Sequence, residues 1–201
     1  MKPTEILSHE HRVIEQVLDC LERTADECRS AGTLDEQAVR AAIDFFRNFA
    51  DRCHHGKEET HLFPAMEAKG SPRHGGPIGA MLYEHEQGRA CVREMEEAIE
   101  PAAAGDPAAQ RRFVDRATRY VDLLREHIHK EDHCLFAMAD QLFADSDQQR
   151  LLDAFSRVEA EEMGAGTHEK YLAIANALAD RFGVARSTAD AGAHRHACCG
   201  H

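Results

Sequence analysis

Two stretches of this chain, Cys53 to Pro64 (CHHGKEETHLFP) and His127 to Phe136 (HIHKEDHCLF), repeat one another at a spacing of 73 residues. His54 matches His127, Lys57 matches Lys130, Glu58 matches Glu131, and Leu62-Phe63 matches Leu135-Phe136. Each copy follows a Glu-His pair, Glu10-His11 and Glu84-His85, spaced by 74. A unit of Glu-His, a long interval and His-x3-Glu therefore occurs twice. An internal repeat limits topology before local propensity does, and here the repeated residues are of metal-ligand type.

Apolar periodicity places the repeat on helices. A first helix from Thr4 to Ser30, with Thr4 as N-cap, carries the seam Leu7, His11, Ile14, Leu18, Leu21, Ala25 in steps of four and three. His9 falls off that seam. A second helix, Leu34 to Lys69, runs Val39, Ile43, Phe46, Ala50 and then reaches His54 and Glu58, one turn apart and facing the core. Pro64 marks a kink or an end in it. The turn chemistry of Gly70 to Pro77 separates the halves. A third helix, Ile78 to Glu100, has His85 on its seam, and Pro101 to Pro107 reads as a break. A fourth helix, Ala108 to Phe143, follows Phe113, Ala117, Tyr120, Leu124, His127, Glu131, Leu135. A fifth opens at Asp145-Ser146, is interrupted at Gly164-Ala165-Gly166, and resumes from Tyr171 to Phe182.

These elements predict an all-α fold: an antiparallel up-down four-helix bundle with an internal pseudo-twofold repeat, plus an additional C-terminal helix and a flexible tail. The expected division is a four-helix unit with a di-metal site over 1–145, a helical extension packed on it over 146–183, and a His/Cys-containing tail over 184–201.

In each of the four helices a histidine occupies a core position: His11, His54, His85 and His127. The second and fourth add a carboxylate one turn later, Glu58 and Glu131. Ionised carboxylates in a core are costly unless a cation compensates them. A lone core histidine is commonly a hydrogen-bonded packing residue, and a lone His-x3-Glu a surface pair. Six such residues on four seams, in duplicate, point instead to two metal ions. The duplication puts the site on a pseudo-twofold axis, with Glu58 and Glu131 bridging and two histidines per metal. Mixed imidazole and carboxylate donors suit iron, manganese or zinc.

Other candidates flank the seams. His55, His61, His129 and His133 read as outer partners or solvated residues, with Glu59 a further outer partner and His55, beside His54, best placed as an extra ligand. Tyr83 reads as a half-buried tyrosine or a donor near the site, and Glu162 and His168 as residues of the fifth helix able to cap it. Cys53, Cys91 and Cys134 read as small buried hydrophobes. The tail's histidines and vicinal Cys198-Cys199 suit capture of a metal in transit.

Charge and composition bound the partners. With 36 acidic against 24 basic residues, net −12, neither nucleic acid nor an anionic membrane is favoured. No apolar run is long enough for a membrane helix or a signal peptide, and seven scattered cysteines read as reduced thiols. A cytoplasmic protein is expected, and the sequence does not set its oligomeric state.

Glu10-His11-Arg12, the run HHGKEETHLFP from His54 to Pro64, Gly75-Gly76-Pro77-Ile78 with Glu84-His85-Glu86, and His127 to Glu131 with Leu135-Phe136 together resemble the hemerythrin-like (HHE cation-binding) family. The resemblance spans residues 4 to 143. It implies a four-helix bundle around a non-haem di-iron centre, oxo- or hydroxo-bridged. His11, His54, Glu58, His85, His127 and Glu131 would be its ligands, the two glutamates bridging. It departs from the oxygen-carrying members, which have a second histidine one turn away on the third helix, where this chain has Met81 and Arg89. Their fourth helix also uses H-x4-D where this chain has H-x3-E. These departures imply one metal with fewer imidazoles and more room for exogenous ligands. The simpler pattern is similar to that of iron-sulfur cluster repair proteins and iron-sensing domains. The expected function is binding of dioxygen, peroxide or nitric oxide, or sensing or buffering of iron. The alternatives are an enzyme acting on peroxide or nitric oxide, and an iron-delivery or cluster-repair protein.

Overall fold

Lys2, not Thr4, is the N-cap of the first helix, α1 (Pro3–Ala31): its backbone N–H donates to Glu5 Oε2 at 2.8 Å, and Pro3 opens the helix. Thr4 is instead buried in the first turn and donates through Oγ1 to Asp140 at 2.8 Å, a use a capping hydroxyl would preclude. The computed structural model describes residues 1–164 and 166–187, and every regular element among them is helical. The predicted seam of α1 is buried throughout. Gly32, at φ +65°, ends the helix by donating its N–H to Cys28 O, a left-handed stop that suits glycine.

The second predicted helix is one helical run wound in two ways. Asp35 caps α2 (Glu36–Phe45), its carboxylate accepting from Ala38 N at 3.1 Å. The run then widens to π winding over Phe46–His55 and again over Glu58–Leu62, before α3 (Phe63–Ala68). Pro64 does not end it. It takes the second position of α3, straight after the π winding, where a missing N–H is tolerated.

α4 (Pro77–Ala103) runs past Pro101, so the expected break there moves to Ala104–Asp106, with Gly105 at φ +90°. Ala98, Ile99 and Ala102 are fully buried, and their packing holds the last turn helical across the proline. α5 (Pro107–Lys130) is capped by Asp106, which accepts from Ala108 N at 2.9 Å. It passes into π winding over Glu131–Leu135 and then α6 (Phe136–Leu142). This π stretch and Glu58–Leu62 occupy matching places in the repeat, each starting at the repeated glutamate. The extension comprises α7 (Asp145–Arg157), a π stretch Val158–Met163 and, beyond Gly164 and Gly166, α8 (Thr167–Phe182).

Two apolar clusters lie at different levels along the helices. The larger includes Val17, Leu21, Phe45, Phe49, Met95, Phe113 and, from α8, Tyr171 and Ala175. The smaller includes Leu7, Leu62, Phe63, Met81, Phe136 and, from α7, Phe155. Between them in sequence, on every core helix, come the buried polar residues: Glu10 and His11, then His54, His55, Lys57 and Glu58, then His85, and then His127 and Glu131. Apolar packing above and below thus fixes a polar layer that could not hold itself together.

The region read as a tail starts attached. Val184 packs on the larger cluster and donates its N–H to Ala179 O at 2.9 Å, and Arg186 pairs with Asp180. His194, Cys198, Cys199 and His201 lie outside the described residues. Among the described residues, no helix is long and apolar enough to cross a membrane.

Candidate metal centre

Seven buried side chains converge in the polar layer as two groups with matched donor atoms: His55, Glu58, His85 and His127, and His11, His54, Glu58 and Glu131. All six residues of the sequence-derived set are among them. His85 Nε2 lies 3.2 Å from His127 Nε2 and 3.5 Å from Glu58 Oε2. His54 Nε2 lies 3.7 Å from the other oxygen of Glu58. Glu131 Oε2 stands between His127 Nε2 at 3.2 Å and His11 Nε2 at 3.3 Å. Glu58 thus offers one oxygen to each group, and Glu131 lies where the groups meet.

These distances are those of donors around a cation. Ligand atoms each ~2.1 Å from one ion stand ~3.0–3.5 Å apart. Of these pairs only His85 Nε2 and His127 Nε2 are placed to share a hydrogen bond; among the described residues, His11 Nε2, His54 Nε2 and both oxygens of Glu58 and of Glu131 are buried with no hydrogen-bond partner. Orphaned buried polar atoms are expensive, and here six converge on one region. The residues fit a pair of metal ions.

Each imidazole is held from behind by a carboxylate. The Nδ1–H of His11 donates to Asp132 at 2.9 Å, that of His54 to Glu10 at 2.9 Å, and that of His55 to Asp51 at 3.3 Å. His85 donates to Glu59 at 2.7 Å and His127 to Glu84 at 3.0 Å. A carboxylate can only accept, so each bond fixes the tautomer and turns the Nε2 lone pair inward. The glutamate of each repeated Glu-His pair therefore orients the histidine of the neighbouring His-x3-Glu. The repeated lysines complete the pattern, Lys57 pairing with Glu10 and Lys130 with Glu84.

The seams imply two imidazoles per metal, and the structure groups a fifth imidazole with those four. His55 is buried and stacks on His85 with ring centroids 3.8 Å apart, so one group brings together three imidazoles and the other two. No histidine stands one turn from His85 on α4, at Met81 or Arg89, and the additional imidazole of this group comes from the second helical run. The cause is the π winding that ends at His55: its wider turn fans successive side chains over a narrower arc than an α-helix does. His54 and His55 both face inward as a result. Met81 belongs to the smaller apolar cluster, while Arg89 bonds Asp51 and Glu59, two of the carboxylates behind the imidazoles.

Electrostatics follow from burial. Desolvation, with help from the neighbouring imidazoles, drives His54 and His85 down to about 3, so both are neutral and ready to bind a cation. Burial opposes the charge on His127, but Glu131 and Glu84 outweigh it and lift this imidazole to about 9. Glu58 is pushed well above the usual carboxylate range by burial and then by the charge of Glu131. Burial also works against Glu131, yet His127 and His11 hold it well below that range. Without a cation, protons take over part of the compensation.

The flanking candidates separate. Tyr83 is 66% exposed, as its place on the outer face of α4 dictates, so it does not reach the site. His129 and His133 are exposed and stack on each other at 4.1 Å, and Cys134 is exposed rather than buried. His61 is half-buried near Phe155 and belongs to neither group. His168 joins a third, separate trio with Glu10 and Glu159, while the side chain of Glu162 lies outside the described residues. Sequence reasoning named Glu59 as an outer partner and missed the other four orienting carboxylates, although Glu10 and Glu84 recur in the repeat and Asp132 repeats Glu59 by position.

The family model for the hemerythrin HHE cation binding domain matches residues 2–139, more than half of the chain. No curated protein and no solved structure matches it.

Proposed function

The chain belongs to the hemerythrin HHE cation-binding family, and from that premise we propose that it is a non-haem di-iron protein whose centre engages dioxygen, peroxide or nitric oxide. In this reading the core helices form an antiparallel up-down four-helix bundle related by a pseudo-twofold. His55, His85 and His127 with Glu58 would hold one iron. His11 and His54 with Glu58 and Glu131 would hold the other. The observation that carries the proposal is the convergence of unpartnered Nε2 and carboxylate oxygens in a layer sealed on both sides by apolar packing. Seven amino-acid ligands between two ions leave coordination positions for a small molecule. A bound iron pair would supply reversible one-electron chemistry and Lewis acidity at those positions.

The chain's own residues set the conditions. The carboxylate behind each imidazole holds its donor atom in place, and Phe63 and Phe136, packed on His85 and His11, exclude water from the layer. A cavity of about 200 Å³, lined among others by His55, His85, Asp51, Arg89 and Tyr120, reaches the three-imidazole group from outside. That cavity favours a second reading in which the loaded centre consumes peroxide or nitric oxide.

Iron analysis and the near-ultraviolet spectrum of the full chain test both readings. Two irons per chain, with near-ultraviolet absorption appearing on aerobic loading, are expected. No uptake of iron after anaerobic reconstitution overturns the di-iron assignment. Loss of hydrogen peroxide or nitric oxide with loaded wild type but not with Glu58→Ala selects the enzyme.

A further inference from the structure

The two halves of the repeat treat their lysines differently. Among the described residues Lys130 pairs with Glu84 alone, and its side chain is 42% exposed. Lys57 is fully buried, and the C-terminal extension buries it. Phe155 of α7 lies with its ring centroid 5.7 Å from Lys57 Nζ, and Glu159, from the π stretch after α7, accepts from Nζ at 2.6 Å. Nζ also bonds Glu10, whose second oxygen accepts from His54 Nδ1 at 2.9 Å. A continuous line of four groups, Glu159, Lys57, Glu10 and His54, thus runs from the extension to an imidazole of the two-histidine group. At its outer end Glu159 is 40% exposed, on the wall of a cavity of about 390 Å³ shared with Phe49, Cys53 and His168.

Glu159, Glu10 and His168 also bring donor atoms within 4.8 Å of one another, which raises the question of a third metal. The ammonium of Lys57 already stands between the two carboxylates and supplies the positive charge there. The trio is therefore read as part of the line to His54.

We infer that Glu159 is a positioning residue for the two-histidine metal site, acting through Lys57 and Glu10 on His54, so that the extension is part of the centre. The physical reason is a division of charge. Lys57 shares its hydrogen bonds between two carboxylates. With Glu159 neutral, the ammonium draws on Glu10 alone, and Glu10 gives less of its charge to the Nδ1–H of His54. The imidazole then becomes a poorer donor. The three-imidazole group, whose carboxylates are Asp51, Glu59 and Glu84, has no contact with Glu159 and is unaffected.

This inference rests on the two-metal reading, and its test separates the two. Chelator-stripped full-length protein is titrated anaerobically with ferrous iron against a chromophoric chelator. The step belonging to the two-histidine group is identified by its loss in His11→Ala. In Glu159→Gln that step is expected to weaken roughly tenfold, at the lower end of effects seen for partners of metal ligands, while the other step and the melting of the metal-free protein stay as in wild type. In a Lys57→Met background, Glu159→Gln is expected to add nothing, because the link is gone. Glu159→Asp, which keeps the charge but draws it back, should weaken the same step less, and it serves if the Gln variant is unstable. Equal weakening of both steps, or an effect that persists without Lys57, overturns the inference. If wild type holds two irons and Glu159→Gln or Glu159→Asp changes neither step, only the role of Glu159 falls. If wild type does not hold two irons, the metal reading falls first.

Discussion

At the scale of single residues, Glu58 and Glu131 bear the cost of the centre. Both are fully buried, and none of their four oxygens has a hydrogen-bond partner. Metal-free, Glu58 folds only by taking up a proton at a pH where a free carboxyl has lost it, a cost that a neutral amide of the same shape does not carry. Metal-free Glu58→Gln is therefore expected to exceed metal-free wild type by about 1–3 kcal/mol at neutral pH. The same variant should gain little or nothing when iron is added. Urea unfolding with and without chelator checks both, and a Glu58→Gln protein less stable than wild type in the metal-free state would contradict the account. These two residues were legible in the sequence because they sit on otherwise apolar seams. Of the carboxylates behind the imidazoles only Glu59 was, since they lie off the seams and, Asp51 with His55 apart, meet their partners across a helix interface. Asp132 and His11, for example, are joined by tertiary packing alone.

At the scale of elements, the winding of the helices decides which residues face inward. A step of three or four residues locates the seams of α1 and α4 well, because both are α-helical across the site. It misplaces His55, because the second run is π-wound from Phe46 to His55. The two halves differ here: the position equivalent to His55 is Ile128, in the α-helical part of α5, and the position equivalent to Asp51 is Leu124. The repeat is thus broken by one imidazole and its carboxylate. His55→Ile removes the imidazole from that difference and leaves Asp51 in place. It is expected to weaken one metal-binding step by roughly tenfold or more, as even outer partners of ligands do, with helicity unchanged. Chelator competition alongside far-ultraviolet circular dichroism measures this, and unchanged binding would show that His55 is a stacking partner only.

At the scale of the whole molecule, the centre ties together α1, the second helical run, α4 and the run containing α5, so that metal binding and folding are linked. An ion present at a thousandfold over its dissociation constant adds about 4 kcal/mol. For a chain of this size that corresponds to a melting shift of about 8–16 °C. Stripping the metal from wild type is expected to lower the melting temperature by that order in calorimetry, and an unchanged transition would mean that the polar layer holds itself together. The helices of the extension were legible from periodicity, but the reach of Glu159 to Lys57 was not, because 102 residues separate them. The five carboxylates behind the imidazoles also bear on time. Since each ring is already fixed in its tautomer and aimed inward, an arriving ion meets no side chain that has to turn, and a departing one leaves none to relax. Exchange of the metal is then paced by the ion shedding its water and by the departure of the protons that His127 and Glu58 hold in its absence.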